Sequence, residues 1–150
     1  MAETLIRAEL AAAGLSERVS VESAGTGDWH LGGPMDSRAR AELARRGYDG
    51  SAHRARQISP EWLGRFDLVI AMDWNNLRDL ERMASAGPGG MAGRIRLFRS
   101  FDPAAAAGAQ VPDPYGGGPG EFADVFDITL AAARGLVAEL AGVLAHGAGD

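Results

Sequence analysis

Residues Phe66-Asp-Leu-Val-Ile-Ala-Met72 restrict the fold more than any other segment. A strand buried on one face alternates apolar with polar residues. A run that is apolar throughout must be covered on both faces, as a parallel strand between two helical layers is. The flanking segments alternate accordingly. Residues 1–13 read as a helix, with Leu5, Ile6, Ala8, Leu10 and Ala13 on a stripe and Gly14 as the stop. Val19-Ser-Val-Glu-Ser23 has period two and runs into Ala24-Gly-Thr-Gly27, a strand entering a loop. Asp36 is placed to cap a helix that carries Ala39, Leu43 and Ala44 and ends at Gly47. Ser59 and Pro60 read as N-cap and first residue of a short helix. A helix with Leu77 and Leu80 follows Asp73, and Arg94–Phe98 reads as a strand. From about Glu121 to Ala145 the apolar stripe is too broad for an isolated surface helix, so this helix should pack on a sheet. The order predicts an α/β fold of three layers, a short parallel sheet with helices on both faces, in one domain over residues 1–150. Such a domain ordinarily opens with the strand at the centre of its sheet. This chain opens on a helix, so that first, central strand is expected to be absent.

Composition removes whole classes of chemistry. There is no cysteine, so no thiolate nucleophile, redox pair or zinc–thiolate site can be built from these residues. All fifteen cations are arginine, which leaves no lysine for a Walker A loop or a Schiff base. A formal charge of −5 gives no electrostatic case for nucleic acid or for an anionic membrane surface. No segment approaches the roughly 18 apolar residues of a spanning helix, and residues 1–7 lack the apolar core of a signal peptide. The expected compartment is the cytoplasm.

Two stretches read as irregular: Ala84–Gly93, a turn or mobile loop, and Asp102–Gly120, which is long enough to suggest function. The glycines at 116, 117, 118 and 120 could cradle an anion but read better as a flexible loop. His30, His53 and His146 are not at ligand spacing, and His146 falls in a frayed tail. In His53-Arg-Ala-Arg-Gln57, structural ion pairing is the better reading than phosphate binding. The best chemical candidate is Asp113. Pro112 and Pro114 restrict its backbone on both sides, and Tyr115 follows two residues on. A carboxyl held on a glycine-rich loop suits general-acid work, where geometry comes before pKa. On the residues alone an Asx turn accounts for it as well.

Met1-Ala-Glu3, Val21-Glu-Ser-Ala-Gly-Thr26, His53-Arg-Ala-Arg-Gln57, Phe66–Asp73, Asn76-Leu-Arg-Asp-Leu80 and Val111-Pro-Asp-Pro-Tyr115 occur in that order. Together they resemble the low-molecular-weight protein tyrosine phosphatase family, over nearly the whole chain. The resemblance implies a strand leading into a C-x-x-x-x-x-R-S-P phosphate loop, whose thiolate attacks phosphorus while loop amides and the arginine hold the phosphoryl oxygens. It assigns Asp113 as the acid that protonates the leaving phenolate and then activates water. It places Trp29 and Tyr115 as aromatics at the mouth of the site, with Ser23 bracing the loop and Asp73 capping the end of its strand. The implied substrate is a phosphotyrosine protein or a small aryl phosphate, with no metal and no organic cofactor. Oligomeric state is not legible.

The departure from the family pattern lies at the start. Met1 aligns just after the phosphate loop, so the first strand, the cysteine and the arginine have no counterpart here. Gly116 stands where many relatives carry a second aromatic. Met1 is therefore expected to be an internal methionine read as a start. The alternatives are a non-catalytic interaction module and an arsenate-reductase-like relative. Unpaired groups along a missing central strand cost on the order of 1–3 kcal/mol each, against a total stability of roughly 5–15 kcal/mol. The isolated chain is accordingly expected to be unfolded, aggregated or molten. A thermal melt followed by near-ultraviolet circular dichroism checks this, and a sharp cooperative transition would refute it.

Overall fold

The computed structural model describes residues 1–28, 30–87 and 93–147. Helix α1 spans Ala2–Ala12 and buries Leu5, Ile6 and Leu10 along one face. It ends ahead of Gly14, whose φ of +69° is open to glycine without strain. Helix α2, Ser37–Arg45, starts on Asp36, whose carboxylate accepts from the Arg38 amide. Helix α3, Pro60–Leu63, has Ser59 as its cap and proline in its first turn. Helix α4, Trp74–Ser85, begins on Asp73, which accepts from the Asn76 amide at 2.7 Å. Asp73 thus caps the helix that follows it and not the strand before it, because its carboxylate meets the helix's unpaired N–H groups. Helix α5, Pro119–His146, is longer than its stripe suggested. His146 belongs to its last turn, with Nδ1 2.6 Å from the Gly142 carbonyl oxygen, and is not in a frayed tail.

Strand β1, Val69–Ala71, pairs in parallel with β2, Ile95–Leu97, with Val69 opposite Ile95 and Ala71 opposite Leu97. The flanks of both apolar runs stay outside the ladder, and β2 passes directly into a 3-10 turn, Phe98–Phe101. The side chains of β1 divide as the run predicts. Leu68, Ile70 and Met72 join a core built from α1, α2, α5, Phe98 and Phe101. Val69 and Ala71 join a second core with Leu63, Leu77, Leu80 and Leu97. The two cores lie on opposite faces of the sheet, which yields the three expected layers.

The expected strand at Val19–Ser23 does not form. The segment is extended but belongs to no ladder. A period-two pattern makes a strand only beside a neighbour able to exchange backbone hydrogen bonds. Instead the Val19 amide donates to the Leu15 carbonyl, and the Val21 carbonyl accepts from the Arg7 guanidinium at 2.6 Å. The adjoining residues are pinned further on, where Gly25 bridges in parallel to Gln57 and Pro34 bridges antiparallel to Arg54. Residues 88–92 of the expected glycine-rich turn lie outside the described residues.

Helix α5 is, by length and composition, apolar enough to cross a membrane, contrary to the expectation that no segment approaches this. Here Phe122, Val125, Phe126, Ala132, Ala133, Leu136 and Val137 are buried against the rest of the chain. Gly135 lets α5 approach the 3-10 turn, since a Cβ there would sit 1.8 Å from the Phe101 carbonyl oxygen. Gly135→Ala is therefore expected to cost about 1–3 kcal/mol or more in urea unfolding. Gly142→Ala, where a Cβ meets nothing within 4 Å, should stabilise by about 0.5–1 kcal/mol.

Candidate active site

The Asp102–Gly118 stretch is carried back to the sheet by one backbone bond, from the Val111 amide to the Met72 carbonyl at 2.8 Å. Met72 lies just past the carboxyl end of β1, and Val111 is itself buried. Crevices at the carboxyl ends of parallel strands are where open α/β sheets bind ligands. Asp113 stands two residues beyond this hook and is exposed. Its Oδ1 accepts from the Tyr115 amide at 3.0 Å, and the Gly117 amide closes a turn onto the Pro114 carbonyl at 2.9 Å. The Asx turn that the residues alone allowed is thus present. It orients the carboxyl without removing it from solvent, so the structural and the chemical readings of Asp113 are compatible.

Tyr115 is 62% exposed, and its ring centroid lies 6.4 Å from that of His30, tilted by 45°. Leu31, beside His30, is 56% exposed. The His30 loop is stitched to residues 54–58 by Gly32 donating to Ala55, Ala55 to Gly33, and Ile58 to Gly25. Two loops therefore meet at an open rim of aromatic and apolar side chains. Trp29, the other aromatic expected here, lies outside the described residues. His30 and Leu31 were not singled out from the sequence, and nothing in their spacing marks them.

A buried carboxylate organises the neighbouring surface. The Glu3 side chain is only 5% exposed, although it carries a charge. Arg7 Nη1 approaches it at 2.8 Å and Arg56 Nη2 at 3.9 Å. The Ser23 hydroxyl donates to its Oε2, and His53 Nδ1 lies 3.7 Å away. Buried charges persist only when paired and hydrogen-bonded. Glu3 thereby ties the first turn of α1 to the Val19–Ser23 segment and to residues 53–56. Ser23 braces a helix carboxylate, which is where its hydrogen bonding is directed. Glu3 was not singled out from the sequence, although it shares the helical face of Ile6 and Leu10. Of the arginines of 53–57, Arg56 makes the expected ion pairs, to Glu3 and to Glu22 at 3.1 Å, while Arg54 donates to the Ser51 and His53 carbonyls.

Burial lowers the pKa of His53, helped by Arg56 and opposed by Glu3. Its Nδ1 is buried with no hydrogen-bond partner among the described residues. The folded state therefore favours the neutral ring. As pH falls through the ordinary histidine value of about 6.5, the unfolded chain takes up the proton first, and stability drops until the lowered folded value is passed. Urea midpoints should thus decline between about pH 7 and pH 5, and His53→Gln should flatten that decline.

The family described as "Low molecular weight phosphotyrosine protein phosphatase" matches residues 1–144. A low molecular weight protein-tyrosine-phosphatase of Streptomyces coelicolor is 46% identical over 139 residues, covering 92% of this chain and 83% of its own length. The low molecular weight protein-tyrosine phosphatase A of Mycobacterium tuberculosis is 41% identical over 137 residues, covering 91% and 80%. Among solved structures, a protein tyrosine phosphatase from Entamoeba histolytica, with Hepes in its active site, superposes with a TM-score of 0.85 at 30% identity, over 94% of this chain and 87% of that one. YfkJ from Bacillus subtilis gives 0.84 at 30% identity, over 94% and 85%.

Proposed function

Because this chain belongs to the low-molecular-weight phosphotyrosine protein phosphatase family, we propose that its domain serves phosphotyrosine hydrolysis and that Asp113 is the proton donor. The observation that carries the reading is the placement of Asp113. Its carboxyl is oriented by the Tyr115 amide, set between two prolines, and held close to the carboxyl end of β1. In the first step a thiolate forms an S–P bond as the P–O bond to the phenol breaks, and Asp113 gives the departing oxygen its proton. In the second, the Asp113 carboxylate takes a proton from water as that water attacks phosphorus, releasing phosphate and the thiolate. A positioned acid of this kind contributes about 10²–10⁴-fold. Tyr115 offers its exposed ring as a wall for the phenyl group, and the family resemblance assigns Trp29 to the same mouth.

The thiolate is not among these 150 residues, which contain no cysteine. That observation favours a second reading, a non-catalytic module that uses the Tyr115 rim to bind a partner. N-terminal sequencing and intact mass of the protein from its native cells separate the two. A species heavier than 15.7 kDa with a C-x-x-x-x-x-R segment ahead of Met1 supports catalysis. A species of 15.7 kDa supports binding alone.

In the active protein, Asp113→Ala should lower kcat by roughly 10²-fold or more with little change in KM. The loss should be greater for phenyl phosphate than for p-nitrophenyl phosphate, whose leaving group needs the proton less. Equal losses on the two substrates would refute the proton-donor role.

A further inference from the structure

Arg38 occupies the second position of α2, outside every residue assigned so far. Its Nη2 donates to the Tyr115 carbonyl at 2.9 Å and its Nη1 to the Gly117 carbonyl at 3.2 Å. Its Nε and Nη2 also meet the two oxygens of Asp36, at 3.1 and 2.9 Å. The flat face of the guanidinium lies 5.5 Å from the Tyr115 ring centroid and 4.7 Å from that of Phe122. Asp36 itself is fixed, because the same carboxylate caps α2 through the Arg38 amide at 2.8 Å.

These bonds converge on a single residue, Tyr115, from the peptide groups on either side of it. The Tyr115 amide is held by the Asp113 carboxylate and the Tyr115 carbonyl by Arg38. The Gly117 carbonyl is held from the same guanidinium, across the turn closed by Pro114 and Gly117. Beyond Tyr115 the chain runs Gly116-Gly117-Gly118, which alone would leave a large backbone entropy to overcome. Within the loop itself, Asp113 and the turn bond supply only local contacts. Arg38 ties the loop to a helix that is packed in the core.

We infer that Arg38 is a positioning residue: it fixes the Tyr115 backbone from its carbonyl side, so that Asp113, bonded to the N–H of the same residue, presents its carboxyl in one orientation. The inference deepens the assignment of Asp113 as proton donor and rests on that reading for its catalytic meaning. Its geometric content does not depend on turnover. Lysine cannot replace Arg38, because a point ammonium does not span two carbonyls and a carboxylate while covering two rings.

The test is amide hydrogen exchange by nuclear magnetic resonance on the protein at its native length, as N-terminal sequencing defines it, together with the Tyr115 amide proton shift. In Arg38→Ala the Tyr115 and Gly117 amides should exchange about tenfold faster or more, as expected when their loop loses two hydrogen bonds. Amides in α2 and α5 should keep their parental rates. The Tyr115 amide shift should move toward the value it takes in Asp113→Ala, the signature of a released carboxylate. Arg38→Lys should resemble Arg38→Ala more than the parent. Tyr115 and Gly117 amides that exchange at parental rates in Arg38→Ala overturn the inference. So does acceleration spread evenly through α2 and α5, which would mark a general loss of stability, or full rescue by lysine. An Asp113 that proves dispensable for hydrolysis leaves these readouts untouched, so failure of the proton-donor reading is seen separately.

Discussion

Burial of β1 on both faces is the constraint from which the other elements take their places. Leu68, Ile70 and Met72 require cover on one side and Val69 and Ala71 on the other. No single helix can supply both, so the chain divides its helices between two layers. The same strand also locates the candidate site. Its carboxyl end leads to Met72, whose carbonyl receives the Val111 amide, and Asp113 follows two residues later. A loop that forms no regular structure of its own is thereby referred to the better buried of the two strands among the described residues.

Arginine does much of the remaining organisation, and the absence of lysine gives this a physical logic. Arg46 covers Phe126 at 4.6 Å while pairing with Glu42 and Asp127. Arg96 covers Phe101 at 4.0 Å while pairing with Glu139. Arg38 does the same over Tyr115 and Phe122 while reaching two loop carbonyls. A planar guanidinium offers a face to a ring and an edge of donors to oxygen at once. Most of these pairs are partly exposed, so each contributes little to stability by itself. Their effect is directional: they decide where a loop or helix end lies.

Glu3 shows the opposite balance. It is a buried carboxylate on the apolar face of α1, and four side chains from three segments converge on it. Removing such partners one at a time leaves an uncompensated charge, so the cluster works as a unit. It joins α1 to the unpaired Val19–Ser23 segment, where no backbone ladder does so. The rim around Tyr115 and this charged cluster are thus held by different forces, one by loop hydrogen bonds and a guanidinium over the Tyr115 ring, the other by a buried charge and its counter-charges.

The amino-acid sequence by itself determined the layers, the caps and the acid candidate. Asp36, Ser59 and Pro60 act where local rules place them, because capping depends on a few neighbouring residues. The apolar run at 68–72 dictated burial on both faces for the same reason, since strand geometry sends alternate side chains to opposite sides. Asp113 was legible through its two prolines. Tertiary structure decided what depends on distant partners. Val19–Ser23 has the pattern of a strand and is not one, because a ladder needs a second chain segment beside it. Arg38 and His30 carried no signal, because their roles arise from residues more than seventy positions away that come close only once the helices have packed.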